Sequence, residues 1–175
     1  MNPSFFCSLH SPPPEWKKFL KIHPKVLNFF KTYQKEISSY FKHEIDYSWS
    51  VILCGEKKIT NLNLKYRQKN KKTDVLSFAY HSPKELKSFK IPEVYLGEIY
   101  ICHPVMLKQA KIHSLSPFEE LWHLYFHGLL HLFGFDHEFS KIEKDKMEKE
   151  EERLWKFLQK ALNYDEIILR SFKIN

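Results

Sequence analysis

Four of the ten histidines in this chain fall between Trp122 and Glu138, at positions 123, 127, 131 and 137. His127 and His131 are four residues apart, so a helix sets their imidazoles on one face, a turn from each other, within reach of a single ion. A straight helix would carry His137 about 9 Å further along its axis, at a rise of about 1.5 Å per residue. Gly134 supplies the turn that swings it back, because helices commonly end at a glycine in the left-handed conformation that other residues reach only with strain.

The resulting spacing, H-x-x-x-H-x-x-G-x-x-H, reproduces the ligand part of the metzincin zinc motif. Three neutral nitrogens leave a fourth tetrahedral position for solvent, the arrangement of a catalytic rather than a structural zinc. One departure counts against a peptidase: where the protease motif has a general-base Glu after the first histidine, this chain has Gly128. A glycine inside a helix costs about 1 kcal/mol relative to alanine. Its purpose is therefore close approach, either of a neighbouring element or of a bulky substrate. His123, one turn before His127, and Asp136, just before His137, are candidates for orienting an imidazole. The alternatives are helix packing for His123 and a turn role for Asp136.

Net charge points to the kind of substrate. Twenty-eight Lys and Arg exceed 21 Asp and Glu by 7, which favours an anionic partner such as nucleic acid. Five of those cations lie in the eight residues KYRQKNKK (65–72), with no acid until Asp74. Lys65, Lys69, Lys71 and Lys72 are candidate RNA-binding residues, with a solvated lysine loop as the alternative, and Arg67 offers a planar bidentate donor for phosphate. Tyr66 reads as a core anchor at a helix end, with base stacking as the alternative.

At 175 residues, of which 43% are hydrophobic and 16% aromatic, the chain is expected to form one domain over 1–175 and not to be disordered. Cys7, Cys54 and Cys102 are odd in number and widely spaced, which fits reduced, buried thiols in a cytosolic protein. No apolar run reaches 18 residues, so no membrane span is expected. The first 18 residues lack a basic region ahead of their short apolar stretch and a small-residue cleavage site, so secretion is not expected.

Helical spacing is expected from Trp16 through Phe19 and Leu20 and on through Val26 to Ile37. Ser48 to Cys54 reads as a strand, Glu56 to Tyr66 as a helix through Ile59, Leu62 and Tyr66, and Asp74 to Tyr80 and Val94 to Cys102 as strands separated by a polar loop. Ser116-Pro117 with Glu119 and Glu120 marks the start of a helix running through Phe133. Lys141 to Leu162 reads as an amphipathic helix with Ile142, Met147, Leu154, Phe157, Leu158 and Leu162 on its apolar side and its charges solvated. Strands interspersed with helices make an α+β or α/β domain with one small sheet.

Taken in order, NLNLKYR (61–67), TDVLSFAY (73–80), YLGEIYI (95–101) and HGLLHLFGFDH (127–137) resemble the bacterial rRNA maturation factor family, the YbeY endoribonucleases, over roughly residues 50–155. The resemblance implies a small mixed sheet surrounded by helices. It also implies a cytoplasmic, single-strand-specific, zinc-dependent endoribonuclease that matures the 3′ end of small-subunit (16S) rRNA and serves ribosome quality control. Its partners would be ribosomal RNA and the small ribosomal subunit. The family's zinc ligands correspond to His127, His131 and His137, and the arginine implicated in its activity to Arg67. The chain departs from the family pattern at Glu98 and Phe135, where relatives more often have Asp and Tyr, and at Lys72, where a proline is common. Two rival readings remain at this stage, a zinc metallopeptidase and a non-catalytic ribosome-assembly factor with structural zinc.

Overall fold

The computed structural model describes residues 12–22, 26, 40, 45–136 and 140–161, with side chains as far as 157. Among the described residues the elements run α1 (Pro14–Ile22), β1 (Asp46–Cys54), α2 (Glu56–Arg67), β2 (Val75–Ala79), α3 (Pro83–Ser88), β3 (Glu93–Cys102), α4 (His103–Ile112), α5 (Pro117–Leu132) and α6 (Lys141–Ala161). This is an α+β fold around one mixed sheet.

The sheet order is β1-β3-β2, with β1 parallel to the central β3 and β2 antiparallel to it on the other side. The pleat sends alternate side chains of β3 to opposite faces. Ile99 and Ile101 join the core formed with Leu121, Trp122, Leu124 and Leu129 of α5, whereas Tyr100 and Cys102 join a smaller cluster around Ile59 of α2. The sheet is thus held between α5 and α2. Trp16 of α1 is fully buried and donates from Nε1 to the Cys54 carbonyl at 3.0 Å, tying the first helix to the end of β1.

Two helices begin with the same chemistry. At α5 the Ser116 hydroxyl accepts from the Glu119 N–H and the Glu119 carboxylate accepts from the Ser116 N–H, with Pro117 in the first turn. Ser82, Pro83 and Glu85 repeat that capping box at α3. The polar loop expected between the second and third strands therefore contains a short helix.

Other differences from the sequence reading are local. Tyr66 is 56% exposed, packed edge-on against Phe78, so it is not a core anchor. Asn63, one turn earlier, is the buried residue there. Ile142 is 68% exposed and leaves the apolar side of α6, while Met147 and Leu154 are buried as expected. Residues 27–37, Leu162 and the side chain of Leu158 lie outside the described residues, as does Cys7. Cys54 and Cys102 are buried free thiols. Burial pushes them up to about 12 and about 11, so they stay protonated and inert.

Candidate active site

α5 is a platform before it is a site. Its capped start, its run of buried Leu, Phe, Trp and Tyr, and its Schellman end fix its position against the sheet. At that end Gly134 has φ +86°, its N–H donates to the His131 carbonyl, and the Phe135 N–H donates to the Leu130 carbonyl. Both the positive φ and the neighbouring Pro83 ring, which a Cβ at 134 would meet at 2.2 Å, require glycine there. The expected turn is present. His137, three residues on, lies outside the described residues.

Gly128 resolves between the two uses foreseen for it. A Cβ at that position would stand 2.6 Å from Ile99 Cγ2 and 2.9 Å from Ser77 Oγ, so the glycine lets β3 and β2 close onto α5. Its role is packing. One consequence is that the Ser77 hydroxyl sits under the helix, buried and with no hydrogen-bond partner among the described residues.

His127 and His131 project from α5 on the face expected for them, with their Nε2 atoms 3.2 Å apart. His127 Nδ1 lies 2.8 Å from Glu151 Oε1 on α6. A carboxylate can only accept, so the ring proton is assigned to Nδ1, and Nε2 presents a lone pair toward His131. Two nitrogens bound tetrahedrally to one zinc at about 2.0–2.1 Å would be about 3.3 Å apart. The donor pair fits that requirement. Among the described residues no group of three or more His, Cys, Asp or Glu side chains is arranged to hold a metal ion.

The two histidines line an open cavity of about 250 Å³ that is also bordered by Arg67, Asp74, Ser77 and His123. Arg67 is the last residue of α2, and the way that helix ends explains its reach. Gln68 turns into the left-handed region at φ 56° and donates to the Leu64 carbonyl. Lys69 N–H then donates back to the Asn63 carbonyl, and Asn63 Nδ2 donates to the Lys71 carbonyl at 2.7 Å. The buried amide of Asn63 thus folds the basic loop over the helix end.

Lys65, Lys69 and Lys71 are exposed on this rim, and Lys65 Nζ lies 4.9 Å from the Tyr66 ring centre. Lys72 is exposed too but forms an ion pair with Glu56. Asp74 is held locally, its carboxylate accepting from the Thr73 hydroxyl and the Val75 N–H. His123 is exposed in the cavity rather than packed, its ring centre 6.3 Å from that of His127.

A family profile described as Endoribonuclease YbeY matches residues 15–159 of this chain. The chain belongs to the YbeY endoribonuclease family. An Endoribonuclease YbeY of Thermodesulfovibrio yellowstonii is 37% identical over 140 residues, 79% of this chain and 85% of that protein. Another YbeY relative, from Mycoplasmopsis synoviae, is 39% identical over 127 residues, 73% of this chain and 76% of its own. A chloroplastic YBEY of Arabidopsis thaliana is 39% identical over 109 residues, 62% of this chain and 18% of that much longer protein. The match to the YbeY profile begins at residue 15, well before the first motif that carried the sequence resemblance, and so takes in α1. No helix among the described residues is long and apolar enough to cross a membrane.

Glu151 is a site residue that the sequence reading does not single out, since it counts the charges of α6 as solvated. A signal for it was present: Met147, Glu151 and Leu154 follow the i, i+4, i+7 spacing of one helix face.

Proposed function

We propose that this chain is a zinc-dependent endoribonuclease that cleaves single-stranded RNA in the cytoplasm, maturing the 3′ end of 16S rRNA and serving ribosome quality control. Ribosomal RNA and the small ribosomal subunit are its partners, and 1–175 acts as one domain. The observation that supports it best is one cavity bordered by both the paired imidazoles of His127 and His131 and the guanidinium of Arg67. A cation-binding pair facing an obligate cation suits an anionic, phosphodiester substrate and not a neutral peptide bond.

In this reading His127, His131 and His137 hold one zinc ion. Bound there, zinc supplies Lewis-acid activation of the scissile phosphodiester. Arg67 orients the phosphoryl group through its planar donors and stabilises the negative charge that grows on it in the transition state. Lys65, Lys69, Lys71 and Lys72 hold the RNA backbone along the rim, Lys72 exchanging its Glu56 partner for phosphate. RNA also carries its own nucleophile, the 2′-hydroxyl, and the ends produced report which is used. A 2′,3′-cyclic phosphate marks internal attack, and a 5′-phosphate with a free 3′-hydroxyl marks attack by water.

Parallel digestions of rRNA and casein, each with and without a chelator, separate this reading from a peptidase. The expected result is RNA cleavage lost on chelation and restored by zinc, with casein intact. Casein cleavage without RNA cleavage would replace it with the peptidase reading. His131→Ala separates catalytic from structural zinc: the expected variant is folded and inert, whereas loss of folding together with activity supports the structural role.

A further inference from the structure

The carboxylate of Glu151 is out of place by the logic of its own helix. On α6 it lies between Met147 and Leu154, 2% and 0% exposed, on the stripe that packs toward α5, and its side chain is 17% exposed. A carboxylate in such a position is costly unless a donor meets it. The acids around it have partners on α6 itself, Glu148 with Lys144, Glu150 with Arg153 and Glu152 with Lys156, and Glu150 accepts from the Tyr40 hydroxyl as well. Glu151 instead reaches across to α5, 24 residues away in sequence, and accepts from His127 Nδ1 at 2.8 Å.

We propose that Glu151 is the positioning residue of the metal centre. It selects the Nδ1–H tautomer of His127 and fixes the ring's rotation, so that the Nε2 lone pair is aimed at the point shared with His131 before any cation arrives. An unassisted imidazole divides between two tautomers and rotates about its χ2 axis. Removing that freedom beforehand strengthens binding, and losing such a hydrogen-bond partner typically weakens metal affinity about 10- to 100-fold. The contact also makes α6 part of the site, since the helix brings its carboxylate to α5 through the packing of Met147 and Leu154. The inference rests on the zinc reading for its affinity consequence and on the structure alone for its tautomer consequence.

Competitive zinc titration of the metal-free full chain against a chromophoric chelator, paired with ¹⁵N NMR of the His127 ring above neutral pH, tests both. In the wild type the proton is expected on Nδ1. Glu151→Leu, which fills the apolar stripe, is expected to bind zinc about 10- to 100-fold more weakly and to give a mixed or Nε2–H His127. Glu151→Gln, which keeps an acceptor, is expected to retain the Nδ1–H form. Wild-type affinity and an unchanged tautomer in a folded Glu151→Leu would overturn the proposal. So would a wild-type ring protonated at Nε2, a result that stands even if Glu151→Leu does not fold. Failure of the wild type to bind zinc at all would instead overturn the metal reading, leaving the tautomer measurement to judge Glu151.

Discussion

The two helices that border the cavity are built in opposite ways. Twelve of the sixteen residues of α5 are buried, against two of the twelve in α2, Ile59 and Asn63. In the proposed zinc reading, coordination needs donor atoms held to fractions of an ångström, and α5 would provide that by being part of the core, with Glu151 bracing it from α6. Charge stabilisation tolerates more freedom. Arg67 and the lysines sit on an exposed helix end and the loop after it, shaped chiefly by Asn63 and the left-handed Gln68. Substitutions on the α2 side should therefore alter chemistry and leave the fold intact, while those at the buried positions of α5 should disturb the fold as well.

The largest effect is expected at Arg67. Arg67→Ala should lower kcat by about 10²- to 10³-fold with an unchanged Tm and full zinc content, as single-turnover cleavage, calorimetry and metal analysis would show. A large drop in Tm would mean that the α2 end is structural after all. Next, replacing Lys65, Lys69 and Lys71 together with Ala should reduce the slope of log affinity against log salt by about 2 units, at about 0.7 per single-strand phosphate contact. An unaltered slope would remove the rim from RNA binding.

On the α5 side, Gly128→Ala sharpens the contrast. Alanine favours the helix by about 1 kcal/mol, yet its Cβ would run into Ile99 and Ser77. A net loss of about 1–2 kcal/mol in chemical denaturation is expected, since overpacking a core helix outweighs the propensity gain. A stabilised variant would show that β2 and β3 can yield.

The smallest effect lies away from the cavity, at His103. Burial beside Trp16 and Phe19 holds its imidazole below the ordinary value, with Glu15 opposing. The unfolded chain therefore takes up the proton first. The stability it contributes is complete above about pH 6.5 and is lost as the pH falls through the lower folded value. His103→Phe should flatten the fall in Tm between pH 7.5 and 5.5 by a few degrees, and an identical fall would show that burial there costs nothing.

Legibility in the sequence follows the same division. The α5 start was readable because Ser116, Pro117 and Glu119 form a complete local device, and its end because only glycine accommodates the turn at 134. The same device at Ser82, Pro83 and Glu85 went unread because the six residues of α3 are too few to show periodicity. On α6 the reading counted residue types rather than angles. At about 100° per residue, Ile142 lies about 140° away from Met147, off the buried stripe, whereas Glu151 lies about 40° from it. Its partner His127 is on another helix, and no local pattern announces a contact across 24 residues. Arg67 and His127 meet at one cavity across the edge strand β2, whose Val75 and Ser77 also border it, and the place of β2 at the sheet edge is a long-range pairing that no local pattern announces.

X-ray absorption at the zinc edge of the purified full chain tests the central claim most directly. The account predicts one zinc per chain with three nitrogen donors at about 2.0–2.1 Å and one exchangeable oxygen donor from solvent, and loss of that signal in His127→Ala and His131→Ala. A chain that cleaves RNA while holding no zinc, or a zinc shell closed by four protein donors, would contradict it.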